Sequence, residues 1–180
     1  MAGEAAQALM DVETFLTWGA GTDTRHELVD GHPVAMAPPS EAHSVIVGNL
    51  VAALRRGLPA GCRVAVEAGI RPPNRPQRNY YQADIAVICG GKVGDGTPPC
   101  LLVEVLSDGT MDHDRGRKLH DYQFIETLRD VLLVWSDERR VQLVSRVPQG
   151  WLQRDFIADA TLPLTSLGAE ISLEEIYQHI

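Results

Sequence analysis

A carboxylate lies in the middle of an apolar run of this sequence. The run Cys100-Leu101-Leu102-Val103-Glu104-Val105-Leu106 is typical of a central strand that is buried on both faces. A charged side chain in such a strand must be paired or bound to a metal, because burying it alone costs several kcal/mol. Asp84 lies in a similar run between Tyr80 and Ile88. Two neighbouring strands with one inward acid each would supply the oxygen ligands that Mg²⁺ or Mn²⁺ prefers.

The composition fits one globular domain. Of the 180 residues, 44% are hydrophobic and 22% are charged, which suffices for an ordinary core. The sequence contains no apolar run of about 18 residues that could span a membrane. Residues 1–6 are acidic and lack the basic region of a secretory signal. We therefore expect a cytoplasmic protein without a membrane partner.

The cysteines and the net charge indicate the compartment and the kind of surface that the protein has. Cys62, Cys89 and Cys100 are odd in number, widely spaced and form no Cys-X-X-Cys pair. We predict that they are buried small side chains in a reducing compartment, not disulfides or zinc ligands. The net charge of −8 disfavours a surface that coats DNA non-specifically. It does not exclude a nucleic-acid enzyme, because basic residues can be local and acids can bind metal ions.

The periodicity of apolar residues and the turn signals predict a mixed sheet flanked by helices, which is an α/β or α+β domain. We expect a single domain over residues 1–180, with a helical lead in residues 1–20. The predicted elements are a helix at Met10–Trp18, a hairpin of His26–Asp30 and Pro33–Ala37, a helix capped by Ser40, strands at 62–71, Tyr80–Ile88 and Cys100–Leu106, a helix at Asp112–Arg129, strands at Asp130–Trp135, Arg140–Arg146 and Trp151–Ile157, and a tail helix at Leu173–Ile180.

Lys118 lies on the predicted helix that follows Glu104. On that helix it shares a face with Asp114, four residues earlier, and with Tyr122, four residues later. Because Tyr122 belongs to the apolar side, we expect Lys118 at the border of the core. There it could stabilise charge on a phosphate or orient an attacking water. The alternative is a solvated lysine paired with Asp114 or Asp121.

Five short segments of the chain resemble, in the same order, those of the Uma-two family, a branch of the PD-(D/E)XK, restriction-endonuclease-like superfamily. The resemblance covers about residues 10–146. The segments are Glu27-Leu28-Val29-Asp30-Gly31, Pro39-Ser40-Glu41-Ala42-His43, Ala83-Asp84-Ile85-Ala86-Val87, Val103-Glu104-Val105-Leu106-Ser107, and Asp114-Arg115-Gly116-Arg117-Lys118-Leu119 with Tyr122.

The resemblance implies a restriction-endonuclease-like fold and a Mg²⁺- or Mn²⁺-dependent endonuclease that hydrolyses DNA with a metal-activated water. It implies that Asp84 and Glu104 bind the metal, that Lys118 is the catalytic lysine and that Glu27 is an additional catalytic acid. His43 would face the same cleft, with Asp114 and Tyr122 as accessory residues.

The chain departs from the family pattern at three places. Ala83 stands where a proline usually precedes the motif aspartate. Leu106 occupies the position two residues after Glu104, where most of the superfamily has the lysine, so the site depends on Lys118 coming from the helix. Residues 107–110 read Ser-Asp-Gly-Thr instead of Ser-Pro-Ser-Thr, which adds a negative charge beside the site.

The sequence leaves two other interpretations of the chain open. The chain could be an inactive nuclease-fold module that binds or regulates, or the acids could be locked in structural ion pairs. Glu27 could be a surface acid of the hairpin, and His43 a capping or surface residue. The loop arginines Arg71, Arg75 and Arg78 could contact phosphate or be solvated. A homodimer would make cleavage of both DNA strands geometrically feasible.

Overall fold

The computed structural model describes residues 9–18, 21, 24–107 and 114–180. The strands in this part of the chain are β1 (His26–Val29), β2 (His32–Ala35), β3 (Cys62–Ile70), β4 (Tyr81–Cys89), β5 (Leu101–Leu106), β6 (Asp130–Trp135), β7 (Arg140–Val147), β8 (Gly150–Ile157), β9 (Thr161–Leu164) and β10 (Ala169–Ser172). Strands β3 to β8 form one six-stranded sheet in sequence order. Within it only β5 and β6 run parallel. The pairs β1–β2 and β9–β10 are separate antiparallel hairpins.

Helices of the described residues are short apart from one. They are α1 (Val12–Thr17), α2 (Glu41–Arg56), α3 (Leu119–Tyr122) and α4 (Leu173–Ile176), and a π-helical turn (Asp114–Lys118) leads into α3. The predicted cap of α2 is confirmed, since the Ser40 side chain accepts the backbone N–H of His43 at 3.1 Å. The sixteen-residue α2 is therefore the main helix packed on the sheet.

Apolar side chains cover both faces of the sheet. One core joins the sheet to α2, to the β9–β10 hairpin and to α4. The other joins the opposite face to α3 and to the segment that runs from α3 into β6. Strand β5 lies between these cores and every one of its residues is buried. Glu104 is only 2% exposed, so the carboxylate predicted from the apolar run is inside the protein and must be compensated there.

The predicted helix at Asp112–Arg129 is wrong in its extent. Asp112 lies outside the described residues, and the helical structure ends at Tyr122. Arg146 of β7 provides the physical reason. Its guanidinium donates to the carbonyl oxygens of Gln123 (3.1 Å), Ile125 (2.8 Å) and Leu128 (2.8 Å). These bonds from a distant strand satisfy carbonyls in an irregular turn, so the chain gains little by continuing the helix.

The C-terminal segment also differs from its prediction. The tail helix ends at Ile176 and not at Ile180, because Asn49 of α2 donates to the carbonyl oxygens of Ile176 (3.0 Å) and Gln178 (2.9 Å). Strands β9 and β10 were not predicted, since each has only four residues. The alternation of buried Leu162 and Leu164 was their one signal in the sequence.

The prediction for the cysteines is wrong as well. Cys62 and Cys89 are directly opposite each other in the β3–β4 register and form a disulfide. Cys100 is a free thiol whose Sγ lies 3.5 Å from that of Cys89, and burial raises its pKa. Sequence spacing missed the pair because antiparallel strands bring residues together that are far apart in the chain. No helix of the described residues is both long and apolar enough to cross a membrane.

Candidate active site

Lys118 lies between two buried carboxylates. Its Nζ is 2.8 Å from Oε1 of Glu27 and 3.7 Å from Oε1 of Glu104. The exposed fractions of the three side chains are 5%, 7% and 3% for Lys118, Glu27 and Glu104. The sequence left open a solvated lysine that pairs with Asp121. In the structure Lys118 is buried and its Nζ faces Glu27 and Glu104 instead. The structure brings together an acid from the β1 hairpin, an acid from the sheet and a base from the helical segment.

The β1 hairpin is held against the sheet by main-chain bonds that place Glu27. Leu28 and Tyr80 exchange both backbone hydrogen bonds at 2.9 Å, just before β4 begins. The Glu27 carboxylate then accepts the backbone N–H of Gln82 at 2.8 Å. Glu27 is therefore not a surface acid of the hairpin, because its side chain extends from β1 to the backbone of β4.

Tyr122 fixes the carboxylate of Glu104 at the same oxygen that faces Lys118. Its hydroxyl donates to Oε1 of Glu104 at 2.6 Å. The ring of Tyr122 packs edge-on against Tyr81, with the centroids 5.9 Å apart, and the Nζ of Lys118 lies 5.9 Å from the Tyr81 centroid. The four-residue spacing of Lys118 and Tyr122 puts both on the face that meets Glu104, as the helical spacing indicated.

Asp84 lies where the pairing of β4 is interrupted. The register of β3 and β4 omits Glu67 and Asp84, and Glu67 adopts a left-handed φ of 54°. The antiparallel pairing of β4 with β5 ends at Ile85 and Val103. In place of a main-chain carbonyl, Oδ2 of Asp84 accepts the backbone N–H of Val105 at 2.7 Å. This bond holds the Asp84 carboxylate against β5, beside the residue that follows Glu104.

His43 contacts the other oxygen of Asp84. Its Nε2 lies 3.3 Å from Oδ1, and both side chains are 18% exposed. The hydrogen bond to Asp84 raises the pKa of His43 above its ordinary value, although partial burial acts in the opposite direction. His43 is therefore not a plain surface residue. It comes from the first turn of α2 and reaches the acid predicted to bind metal.

A second buried network, which the sequence analysis missed, supports the turn that carries Lys118. Asp121, which the sequence offered only as a possible partner of a solvated Lys118, is 1% exposed. It accepts hydrogen bonds from Asn74 (2.7 Å), Asn79 (2.8 Å) and the hydroxyl of Tyr81 (2.7 Å). Asn79 also accepts the backbone N–H of Asp30 at 2.7 Å. The network ties α3 to the loop before β4 and to the β1 hairpin, and so to the elements that carry Lys118 and Glu27.

This network predicts an acid-labile contribution to stability. Burial alone would raise the pKa of Asp121, but the bonds from Asn74, Tyr81 and Asn79 outweigh it and lower the pKa. A lowered pKa stabilises the fold above the ordinary value of about 4 and is lost as the pH falls through the folded value. Unfolding measured in urea from pH 7 to pH 2 should therefore show a smaller loss of stability in Asp121→Asn than in wild type. Exposed Asp137→Asn is the control, and parallel curves for wild type and Asp121→Asn would contradict the assignment.

The remaining candidates from the sequence are Asp114 and the loop arginines. Asp114 starts the π-helical turn, but its side chain is outside the described part of the structure, as are residues 108–113. Arg71 is paired with Glu13 at 2.6 Å and Arg75 with Asp30 at 2.5 Å. Asp30 also pairs with Arg117. These two loop arginines thus form exposed ion pairs within the protein, and their contact with phosphate stays a prediction.

The cluster combines three carboxylates with one lysine and one histidine. Among the described residues, no group of three or more His, Cys, Asp or Glu side chains is arranged to hold a metal ion. Asp84 and Glu104 remain the candidate pair, with oxygen donors on neighbouring strands. Chemically, the arrangement can hold a cation, present a buried lysine to an anion and exchange protons.

Comparison with known proteins identifies the family. Residues 12–175 match the model of the Uma2 family, described as "Putative restriction endonuclease". The chain belongs to this Uma-two family. The match includes Glu27, His43, Asp84, Glu104 and Lys118, so the resemblance noted in the sequence is confirmed at the level of the family.

Two further comparisons concern a relative in sequence and a solved structure of similar fold. A protein of Synechocystis sp. PCC 6803, described as "Uncharacterized protein slr1290", is 32% identical over 172 residues, which are 92% of this chain and 90% of that protein. A crystal structure from Anabaena variabilis ATCC 29413, described as "a putative nuclease belonging to DUF820", has a TM-score of 0.75 and 18% identity. It covers 93% of this chain and 97% of that one. The likeness confirms the predicted nuclease-like fold, a mixed sheet flanked by few helices.

Proposed function

We propose that this Uma-two protein is a metal-dependent endonuclease that hydrolyses phosphodiester bonds in DNA. The observation that carries the proposal is the position of Lys118. It comes from a different element than the usual lysine of the superfamily, yet its Nζ lies within 3.7 Å of Glu104 and 2.8 Å of Glu27. Leu106, which occupies the usual position, is fully buried among apolar side chains. The lysine is thus supplied to the acids from the helical segment.

The donor set fits Mg²⁺ or Mn²⁺. Both ions prefer oxygen ligands, and Mg²⁺ is commonly held by one or two carboxylates together with waters and substrate phosphates. Asp84 and Glu104 would hold it, since Oδ2 of Asp84 bonds the residue next to Glu104. When bound, such an ion would lower the pKa of a water and polarise the phosphodiester.

The other residues prepare the site for an anionic substrate. Lys118 keeps a positive charge at the acids, where a phosphate oxygen that gains charge can be stabilised. Glu27 holds the Nζ of Lys118 in place through an ion pair. Its carboxylate is the second one next to that lysine, after the carboxylate of Glu104. Tyr122 orients Glu104 through its hydroxyl, and His43 orients Asp84 while it can take up or release a proton at Nε2.

A second function of another class is an inactive nuclease-fold module that binds a partner or regulates without cutting nucleic acid. The net charge of −8 and the absence of a lysine two residues after Glu104, where Leu106 stands, favour it. The two functions differ in one assay. Labelled linear, supercoiled, single-stranded and branched DNA would be incubated with the protein in Mg²⁺, Mn²⁺ or EDTA. We expect cleavage of at least one form with metal and none in EDTA. If no form is cut while metal still binds, the binding module is the better proposal.

Metal binding itself can be tested without a substrate. Mg²⁺ or Mn²⁺ at about 100 times its dissociation constant should stabilise the folded chain by about 2.7 kcal/mol, seen as a rise in melting temperature. Asp84→Asn should lose this rise, because it removes a charged ligand at nearly constant shape. Asp137→Asn, the same change in an exposed turn, should keep it. An equal rise in both variants would place the metal elsewhere.

A further inference from the structure

A cavity of about 730 Å³ opens beside the edge strand β3. It runs along β3 from Arg63, which pairs with Ile88 of β4, to Ile70, which pairs with Tyr81. Its floor is formed by Ala68, Ile70 and Ile88 of these two strands, and its walls by the loop before β5 and by the turn after α3. This edge cavity has the size of an ordinary small-ligand site.

Two side chains give the edge cavity a chemical character. Phe124 in its wall is 49% exposed, which leaves an aromatic face available for stacking. Arg63 lines the same space and donates to the carbonyl oxygens of Gly90 (2.7 Å) and Lys92 (3.1 Å). These partners are neutral, and the described residues place Arg63 in no ion pair. Its charge acts on the Asp95 carboxylate of the neighbouring loop, whose pKa it helps to lower, and the guanidinium keeps donors that a phosphate could share. Glu126 is the one carboxylate among the residues that line the cavity.

The edge cavity begins next to the candidate active site. Ala68 pairs with Ala83, the residue before Asp84. Phe124 follows two residues after Tyr122, whose hydroxyl bonds Glu104. The same two segments therefore carry the cavity and the acids.

A ligand with a flat ring and an anionic group matches this combination. Bases stack on exposed aromatic side chains regardless of sequence, and a guanidinium binds phosphate oxygens. We propose, resting on the nuclease function proposed above, that the edge cavity receives an unpaired nucleotide of a single-stranded DNA segment. The base lies on Phe124 and its phosphate at Arg63. A paired base cannot enter without leaving the duplex stack, so the cavity favours single-stranded or frayed DNA over intact duplex.

The test is a binding assay in EDTA, where cleavage plays no part. Fluorescence anisotropy would compare a labelled single-stranded 12-mer, of about the length that single-strand binding domains cover, with the blunt duplex of the same sequence. We expect tighter binding of the single strand. Phe124→Ala and Phe124→Leu should both weaken it by about 5- to 150-fold and leave duplex binding unchanged. Phe124→Leu keeps an apolar side chain in the wall, so its effect is not one of unfolding. Arg63→Gln should weaken single-strand binding and reduce its salt dependence.

Ile157→Ala is the matched control, because Ile157 is 63% exposed on β8 and does not line the cavity. It should bind both DNA forms like wild type. Equal affinity of wild type for both forms, or equal losses for both forms in the Phe124 variants, would overturn the proposal. Competition by dAMP that is as strong as that of the 12-mer would overturn the strand assignment in favour of a free nucleotide. Failure to cut DNA would affect only the proposed function, since binding is read without metal.

Discussion

Lys118→Ala is expected to destabilise the folded chain by about 3–5 kcal/mol. The reason is the pair of acids that it would leave behind, not the loss of an attractive contact. Glu27 and Glu104 have side chains that are 7% and 3% exposed. Without Lys118 they would be two like charges in a poorly solvated place. Breaking a buried ion pair by removing one partner costs far more than a surface pair contributes, which is about 0–1 kcal/mol.

Urea denaturation at pH 7 would measure this effect, and two variants would define its origin. Lys118→Ala combined with Glu27→Gln should be more stable than Lys118→Ala alone, because one of the stranded charges is gone. Lys92→Ala removes an exposed lysine from the loop before β5 and should change the free energy of unfolding by less than about 0.5 kcal/mol. A cost below about 1 kcal/mol for Lys118→Ala would mean that the lysine does not neutralise the buried acids.

Asp84→Asn should slow DNA cleavage by at least about 100-fold. Even residues that only support metal ligands change affinity or activity by about 10- to 100-fold, and Asp84 is proposed to contact the metal itself. The amide oxygen of asparagine can still accept the N–H of Val105, so the irregular point of β4 should keep its conformation. The folded protein should therefore remain, with an inactive site.

Cleavage rates with enzyme in excess would be compared for wild type, Asp84→Asn and Asp137→Asn under one set of metal conditions. Circular dichroism would establish that the variants are folded. Asp137→Asn should cut at the wild-type rate, because Asp137 lies in an exposed turn. If Asp84→Asn cut within a few-fold of wild type, Asp84 would be a structural acid that anchors Val105 and His43.

The parts of the site that could be predicted from the sequence depend on local patterns. Glu104 and Asp84 were found because a charge within an apolar strand is unusual. The two apolar runs that contain them are strands in the structure, β5 and β4. Lys118 and Tyr122 were placed on one face by their four-residue spacing, and the structure places both at Glu104. Their chemical roles stay predictions, which the cleavage assays test.

The parts that could not be predicted depend on partners far apart in the chain. Asp121 reads as a surface acid until Asn74, Asn79 and Tyr81 are known to surround it. The helix after Glu104 ends early because Arg146 binds its carbonyls from β7. Helical propensity contains no information on either contact, because tertiary partners override it.

A metal-dependent site at Asp84 and Glu104 is tested most directly by a metal titration of supercoiled-plasmid cleavage by the wild-type protein, beside an Asp84→Asn preparation purified in the same way. We expect wild type to cut nothing in EDTA and to cut at a rate that rises and saturates with Mg²⁺ or Mn²⁺. We expect no such rise for Asp84→Asn. Cutting by wild type that persists in EDTA, or that rises equally with metal in both preparations, would contradict a metal-dependent site at Asp84 and Glu104.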